Sequence, residues 1–132
     1  MTYALAAPLQ DAVYDRLKGH PALAGVPVFD ATPEGALSGI YVVLGSEDVR
    51  DRSDKTGRAA QHRFVLTVAG ADGGFRALKE TAAAVEAALG AGLTLARGHV
   101  AFLRFERAVA RRDRDGTRRR VEMTFRALLD DN

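Results

Sequence analysis

Residues Val100–Leu129 read VAFLRFERAVARRDRDGTRRRVEMTFRALL and form the longest strand-like pattern in the 132-residue chain. In the second half of this stretch, apolar side chains alternate with polar ones, which is typical of a strand with one buried face. The dipeptide Asp115-Gly116 is a turn signal between the two halves. We therefore predict one long hairpin with arms at Val100–Val109 and Arg120–Leu129. Ten strand residues span about 33 Å, so such a ribbon can project beyond its own core.

Two helices and several shorter strands are predicted before this hairpin. Apolar residues spaced by three and four predict amphipathic helices over 5–17 and 75–89. Further strands are predicted at Val26–Asp30, Ile40–Leu44, His62–Val68 and Leu93–Leu95. The order α-β-β-β-α-β-β-β predicts an α+β fold, with a largely antiparallel sheet, two helices on one face and the long C-terminal hairpin. The length predicts one domain over residues 1–132.

Arginine dominates the charge of the chain. There are 16 Arg against 3 Lys, yet the formal net charge is only +2. Residues 97–126 carry ten Arg against four acids, which indicates a polar or anionic partner for this part of the chain. The absence of Cys excludes disulfides, thiolate metal sites and Cys nucleophiles. No apolar run approaches the roughly 20 residues of a membrane span, and Met1–Leu5 lacks a basic signal region, so we expect folding in the cytosol.

A charged loop is predicted at Glu47–Arg58, where four acids are mixed with four bases. Loops of about a dozen residues are long for a compact domain and are often functional. Within it, Asp54–Gly57 reads Asp-Lys-Thr-Gly, which looks like the phosphorylated core of P-type cation pumps. Arg58 follows, and the chain lacks the membrane helices of a pump. Ordinary turn chemistry is therefore the better interpretation.

The sequence contains no catalytic or metal-binding pattern. His20, His62 and His99 are isolated and lack the spacing of metal ligands. The serines lack a G-x-S-x-G elbow. Gly70–Gly74 matches neither G-x-G-x-x-G nor G-x-x-x-x-G-K-[ST], the two motifs of phosphate-binding loops. We therefore predict no catalytic residues, no cofactor and no metal. His62 shares its strand face with apolar residues, so we expect it to be hydrogen-bonded and partly buried.

Nucleic-acid binding by the hairpin tip is a function that the residues alone leave open. The arginines of the tip are Arg111, Arg112, Arg114, Arg118, Arg119 and Arg120. Cationic β-ribbons can enter a groove or follow phosphates. Against this, the tip has no aromatic residue for base stacking. The acids Asp113 and Asp115 between the arginines suit a protein–protein rim instead, where charge pairs set register.

Three stretches together resemble a known family: Ile40–Gly45, Arg52–Leu66 and Gly98–Leu128. In order and spacing they are similar to the tail-completion, or tail-terminator, family of long-tailed phages and gene transfer agents. The similarity spans nearly the whole chain and involves no catalytic motif. It implies an α+β fold of the kind predicted above.

The resemblance implies a structural assembly protein and not an enzyme. Tail terminators form a hexameric ring at the head-proximal end of the tail tube, stop tube growth and offer a surface to the head connector. The implied partners are further copies of the chain, the major tail tube protein and the head–tail connector protein. DNA would pass through the lumen without specific binding, and no membrane is involved. The implied location is the bacterial cytoplasm during assembly and then the head–tail junction of a phage-like particle.

The charged loop and the hairpin tip are segments of the kind that reach neighbouring subunits in such rings. We therefore expect the interface to use one group of residues from each segment. These residues are Arg50, Asp51, Arg52, Asp54, Lys55, Arg58, Arg111, Arg112, Arg114, Arg118, Arg119 and Arg120.

Overall fold

One five-stranded sheet and two helices make up the fold in a computed structural model that describes residues 3–31, 39–71, 74–113 and 116–131. The elements are α1 (Ala6–Gly19), a 3-10 turn (Pro21–Leu23), β1 (Val28–Phe29), β2 (Tyr41–Asp51), β3 (Ala59–Gly70), α2 (Phe75–Gly90), β4 (His99–Arg112) and β5 (Arg119–Asp130). The predicted α+β class, both helices and the long C-terminal hairpin are confirmed.

The strand order is β1-β2-β3-β5-β4, so the last strand of the chain lies inside the sheet. Only the β1–β2 pair is parallel, and the other three pairs are antiparallel. As a result, β3 and β4 run in the same direction with β5 inserted between them. The β3–β5 ladder is continuous from the pair Ala59–Asp130 to the pair Gly70–Arg119, whereas β2 and β4 both contain bulges.

The core lies between one face of the sheet and the helices. Every second side chain of β5 from Val121 to Leu129 is buried, and the predicted apolar stripes of both helices belong to the same core cluster. The ring of Phe125 stacks on that of Phe64 at 5.6 Å and meets that of Phe105 edge-on at 5.7 Å. Full burial of such a side chain stabilises a fold by about 1.5–3 kcal/mol. The two central strands therefore carry the packing of the sheet.

Gly98 determines how the chain enters β4. Its φ of 77° lies in the left-handed region. A Cβ at this position would lie 2.6 Å from the carbonyl oxygen of Asp130 and 2.8 Å from Leu5 Cδ1. Both the backbone conformation and the crowding thus require glycine. This close approach brings the N-terminal segment against the start of the hairpin.

The strand predicted at Leu93–Leu95 is wrong, because these residues are irregular and pair with no strand. Both leucines are partly buried and pack against the core cluster. The apolar alternation therefore reflects side-chain packing after the helix end and not a sheet ladder. The strand predicted at Val26–Asp30 exists but is confined to Val28–Phe29.

The loop predicted at Glu47–Arg58 is wrong over its first half, because β2 continues as far as Asp51. This part of β2 pairs with β3 but is largely exposed, so it lacks the alternation of apolar residues that reveals a strand in sequence. A bulge after Leu44 interrupts the ladder, and a Cβ on Gly45 would lie 2.9 Å from the carbonyl oxygen of Val65. The actual connection to β3 is residues 52–58.

Both arms of the predicted hairpin are longer than expected, because β4 is His99–Arg112 and β5 is Arg119–Asp130. The hairpin end is closed by a hydrogen bond from the N–H of Asp113 to the carbonyl of Arg118, at 2.9 Å. Arg114 and Asp115, which belong to the predicted turn, lie outside the described residues. So do Asp72 and Gly73 of the glycine-rich segment before α2.

Replacing Phe125 with Ala should destabilise the fold by about 3–5 kcal/mol, because it would leave a cavity in the core next to the ring of Phe64. Phe105→Ala is the matched control. Phe105 is 42% exposed at the edge of the same aromatic cluster, so its loss should cost less than half as much. Urea denaturation of both variants measures the difference. Equal costs would contradict a core centred on the β3–β5 pair.

Candidate interaction surface

The predicted interface residues form two groups at opposite ends of the sheet. The β2–β3 turn lies at the end where Asp51 pairs with Ala60. The hairpin tip lies at the other end, where Arg120 pairs with Ala69 on one side and with Arg111 on the other. The length of β3 between these levels corresponds to roughly 30 Å. The structure thus brings the described members of each group together but keeps the two groups apart.

Within the β2–β3 turn, carboxylates accept hydrogen bonds from the backbone. Asp54 Oδ1 accepts from the N–H of Thr56 at 2.8 Å and from the N–H of Gly57 at 3.0 Å. These bonds lower the pKa of Asp54, with the N–H of Thr56 contributing most. Asp51 Oδ1 accepts from the N–H of Ser53 at 3.1 Å, and hydrogen bonding to Ser53 lowers the pKa of Asp51. The interpretation of Asp-Lys-Thr-Gly as turn chemistry is confirmed.

The basic residues near this turn are exposed and lie around it. Arg50 Nε pairs with Asp48 at 3.0 Å, and Arg52 Nη1 donates to the carbonyl of the preceding residue at 2.9 Å. Lys55 is exposed at the turn itself. The carbonyl of Arg58 accepts from the backbone N–H just after β5 at 2.9 Å, which ties the turn to the centre of the sheet. The turn group is therefore a surface of both signs of charge with an ordered backbone.

At the other end of the sheet, polar partners hold two arginines of the hairpin tip. Arg118 Nη1 donates to the hydroxyl of Tyr41 at 2.7 Å. Arg120 Nη1 donates to Asp113 Oδ1 at 3.1 Å. Arg120 Nε lies 2.9 Å from Glu122 Oε1, in an ion pair that lacks the alignment of a hydrogen bond. The acids of the tip thus neutralise part of its charge within the chain.

An aromatic ring from outside the hairpin holds Arg112 and Arg119, whereas Arg111 Nε lies 3.7 Å from Glu122 Oε1. The guanidinium carbons of Arg112 and Arg119 both lie 5.9 Å from the ring centre of Phe75, at the start of α2. Lys79 Nζ lies 5.7 Å from the same ring. Cation–π contacts of this kind contribute about 0.5–1 kcal/mol each at exposed sites. The sequence does not predict Phe75 as part of this surface, because nothing in it indicates that α2 reaches the tip. Arg114 lies outside the described residues.

A third charged group lies on the sheet face opposite the helices, and the sequence did not predict it. Glu106 accepts from Arg63 at 2.7 and 3.3 Å and lies 3.7 Å from Arg126 Nε. The hydrogen bond from Arg63 is the main cause of the lowered pKa of Glu106, and the same bond raises the pKa of Arg63. Arg126 and Arg104 also lie over the ring of Phe102, at 5.4 and 4.4 Å. Alternation along β3 and β5 indicates a polar face, but only the register places these residues side by side.

His62 is fully buried, and its Nδ1 lies 3.3 Å from Glu47 Oε2. The predicted hydrogen bond is confirmed, and the burial is complete instead of partial. His20 Nδ1 accepts from a backbone N–H in the 3-10 turn at 3.2 Å. Across the described ranges, no group of three or more His, Asp or Glu residues is placed to hold a metal ion. No helix in those ranges is long and apolar enough to span a bilayer.

Comparison with known proteins identifies the family of the chain. Residues 11–130 match the family described as Tail completion protein gp17. The chain belongs to this family. The tail completion family gives the chain a structural role in a phage-type tail, in agreement with the resemblance seen in the sequence.

A solved structure similar to this tail completion chain belongs to "Virion of native gene transfer agent (GTA) particle". The two chains are 48% identical, with a TM-score of 0.88, and the match covers 98% of this chain and 99% of the other. A search of curated proteins gave no match. The likeness therefore extends over the helices, the sheet and the long hairpin together.

Replacing Glu106 with Gln should lower the stability of this tail completion chain by about 0.5–1 kcal/mol near neutral pH, because the charged bond to Arg63 is lost. The pKa of Glu106 is lower in the folded chain than its usual value. The carboxylate therefore stabilises the fold above its unfolded pKa, and this contribution disappears as the pH falls through the folded pKa. Urea denaturation at neutral and acidic pH should show the deficit only at neutral pH.

Glu80→Gln is the control for this experiment. Glu80 pairs with Arg76 on the exposed side of α2, so its loss should change stability little at either pH. A deficit of the same size at both pH values for Glu106→Gln would show that its charge does not stabilise the sheet face.

Proposed function

We propose that the chain forms a hexameric ring at the head-proximal end of a phage-like tail tube, stops tube growth and joins the tube to the head connector. The observation that carries the proposal is the family match over residues 11–130, together with the 48% identity to a chain of a gene transfer agent virion. Residues 1–132 act as one tail-terminator-like domain that needs no catalytic residue and no cofactor. Assembly takes place in the bacterial cytoplasm and ends at the head–tail junction of the particle.

The two charged ends of the sheet support this proposal. A ring between a tube and a connector needs two separate axial surfaces besides the contacts between its own copies. The turn group and the tip group lie at opposite ends of the strands, so each can serve one axial partner. The turn group is Arg50, Asp51, Arg52, Asp54, Lys55 and Arg58. The tip group is Arg111, Arg112, Arg114, Arg118, Arg119 and Arg120.

The partners of the tip arginines favour a protein partner over a nucleic acid. The hydroxyl of Tyr41, two acids and the ring of Phe75 already engage Arg112, Arg118, Arg119 and Arg120. Arginines that pair within the chain release fewer counterions from DNA, so their contribution to DNA affinity is small. DNA therefore passes through the lumen of the proposed ring without specific binding.

A particle-producing strain that lacks this gene should make abnormally long or headless tails, because nothing stops the tube and joins it to the head. Negative-stain electron microscopy measures tail length and head attachment. The wild-type gene supplied in trans should restore both, and native mass spectrometry of the purified chain should show hexamers. Normal particles from the deletion strain would overturn the proposal.

Charge reversals at the two ends of the sheet should give either long tails or headless tails, because each end serves a different partner. The turn variant is Arg52→Glu with Lys55→Glu, and the tip variant is Arg118→Glu with Arg119→Glu. Supplied to the deletion strain, one variant should give long tails and the other should give tails of normal length without heads. The same images score both defects. Identical defects from both variants would contradict the assignment of one partner to each end.

A further inference from the structure

β4 is an edge strand along its whole length. It pairs with β5 on one side, and no strand within the described residues pairs with its other side. About every second residue of an edge strand directs its backbone N–H and C=O groups away from the sheet, where they are open to another strand. Bulges interrupt the β4–β5 register between Val100 and Phe102 and between Phe105 and Arg107. The longest regular segment is therefore Arg107–Arg112.

The second half of β2 is an open edge on the opposite side of the sheet. β1 covers β2 only at Val42 and Val43. Beyond the bulge after Leu44, the segment Glu47–Asp51 pairs regularly with β3 and, within the described residues, with no strand on its other side. We call this segment the acidic edge and Arg107–Arg112 the basic edge. Each is long enough to form a short ladder with another chain.

These two edges carry opposite charge. β4 contains four arginines and one glutamate, a net charge of +3, and three of the four arginines lie in the basic edge. The acidic edge contains three acids and one arginine, a net charge of −2. Asp48, Arg50, Asp51 and the arginines of β4 are exposed, whereas the side chains of Glu47 and Glu106 are 24% and 28% exposed and contact His62 and Arg63. Charges of opposite sign steer association and set register, whereas like charges side by side oppose it.

We propose that the basic edge of one copy pairs with the acidic edge of the next copy, so that the sheets of neighbouring subunits join. This inference rests on the proposed ring, since it names the contact between its copies. It assigns Arg50, Asp51, Arg111 and Arg112 to that contact and leaves the other residues of the turn and tip groups to the axial partners. Strand addition at a sheet edge uses main-chain hydrogen bonds for affinity, and the flanking charges select the partner. The small side chains of Ala108 and Ala110 in the basic edge allow close approach of a neighbouring strand.

Strand directions are consistent with this arrangement. β2 and β5 run in one direction, and β3 and β4 run in the other. When neighbouring copies continue one sheet with their helices on the same side, β4 therefore meets β2 in the antiparallel sense. The two edges lie at different levels of the sheet, because the basic edge is aligned with Val65–Gly70 of β3 and the acidic edge with Ala60–Phe64. The contact is therefore heterologous and staggered along the strands. It builds a ring when the strands are tilted against the ring axis, or a filament. A two-fold contact would instead place β4 against β4, or β2 against β2, with like charges side by side.

Charge reversal of each edge tests the proposal. The basic-edge variant is Arg107→Glu with Arg111→Glu, and the acidic-edge variant is Asp48→Arg with Asp51→Arg. Each variant alone should lose assembly about tenfold or more, because both of its edges then carry the same sign. An equal mixture of the two should assemble again with alternating subunits, since every contact in it joins opposite charges. A chain with all four substitutions should assemble by itself.

Native mass spectrometry with one variant isotopically labelled counts the subunits, and thermal melting by circular dichroism confirms that each variant is folded. Arg76→Glu with Lys18→Glu is the control for the basic-edge variant, because it makes the same change in net charge at exposed positions of α1 and α2. This control should assemble like the wild type. Folded single-edge variants that assemble like the wild type, or a mixture that stays unassembled, would overturn the edge contact.

The deletion strain distinguishes this inference from the proposed function. Wild-type tails restored by each single-edge variant would overturn the edge contact and leave the tail-terminator role standing. Failure of the wild-type gene itself to restore tail length and head attachment would overturn that role. Restoration by the mixture of variants, but by neither variant alone, would support both.

Discussion

The continuous pairing of β3 with β5 is the constraint on which the rest of the structure depends. Its ladder runs from Ala59 to Gly70 without a bulge, and its inner face carries the stacked rings of Phe64 and Phe125. Both helices cover that face. The two strands are separated in sequence by α2 and β4, so the central ladder closes only after most of the chain is in place. Non-local pairing of this kind folds slowly, but once formed it fixes the position of every other strand.

The central β3–β5 pair also shows how the sheet accommodates arginines on neighbouring strands. Arg63 of β3 and Arg126 of β5 occupy neighbouring positions in the register, where two cations would repel. Glu106, at a bulge of β4, lies between them and accepts a hydrogen bond from Arg63. At the hairpin tip, Glu122 and the ring of Phe75 have the same effect. The fold thus balances its central arginines with acids and an aromatic ring of the same chain.

The spacing of apolar residues predicted the helices and strands that have one buried, apolar face and one polar face. The spacing of Leu9, Val13 and Leu17 predicted α1, and the alternation along β5 predicted the return arm of the hairpin. The same reasoning missed the second half of β2, because an exposed edge strand with charges on both faces has no apolar period. It also misassigned Leu93–Leu95, since an irregular segment packed on a core shows the same alternation as a strand. Both errors arise because periodicity reports burial and not hydrogen bonding.

The sequence by itself determined the α+β class, both helices, the hairpin, the concentration of arginine near the C-terminal end and the resemblance to the tail completion family. Each of these depends on neighbouring residues or on the order of motifs. Only the tertiary structure decided that β5 lies inside the sheet, that the two charged groups lie at opposite ends, and that two edges of opposite charge have no neighbouring strand within the described residues. These features depend on strand order, which contacts between distant residues select. Phe75 illustrates the difference, because it lies beside the hairpin tip only when α2 packs across the sheet.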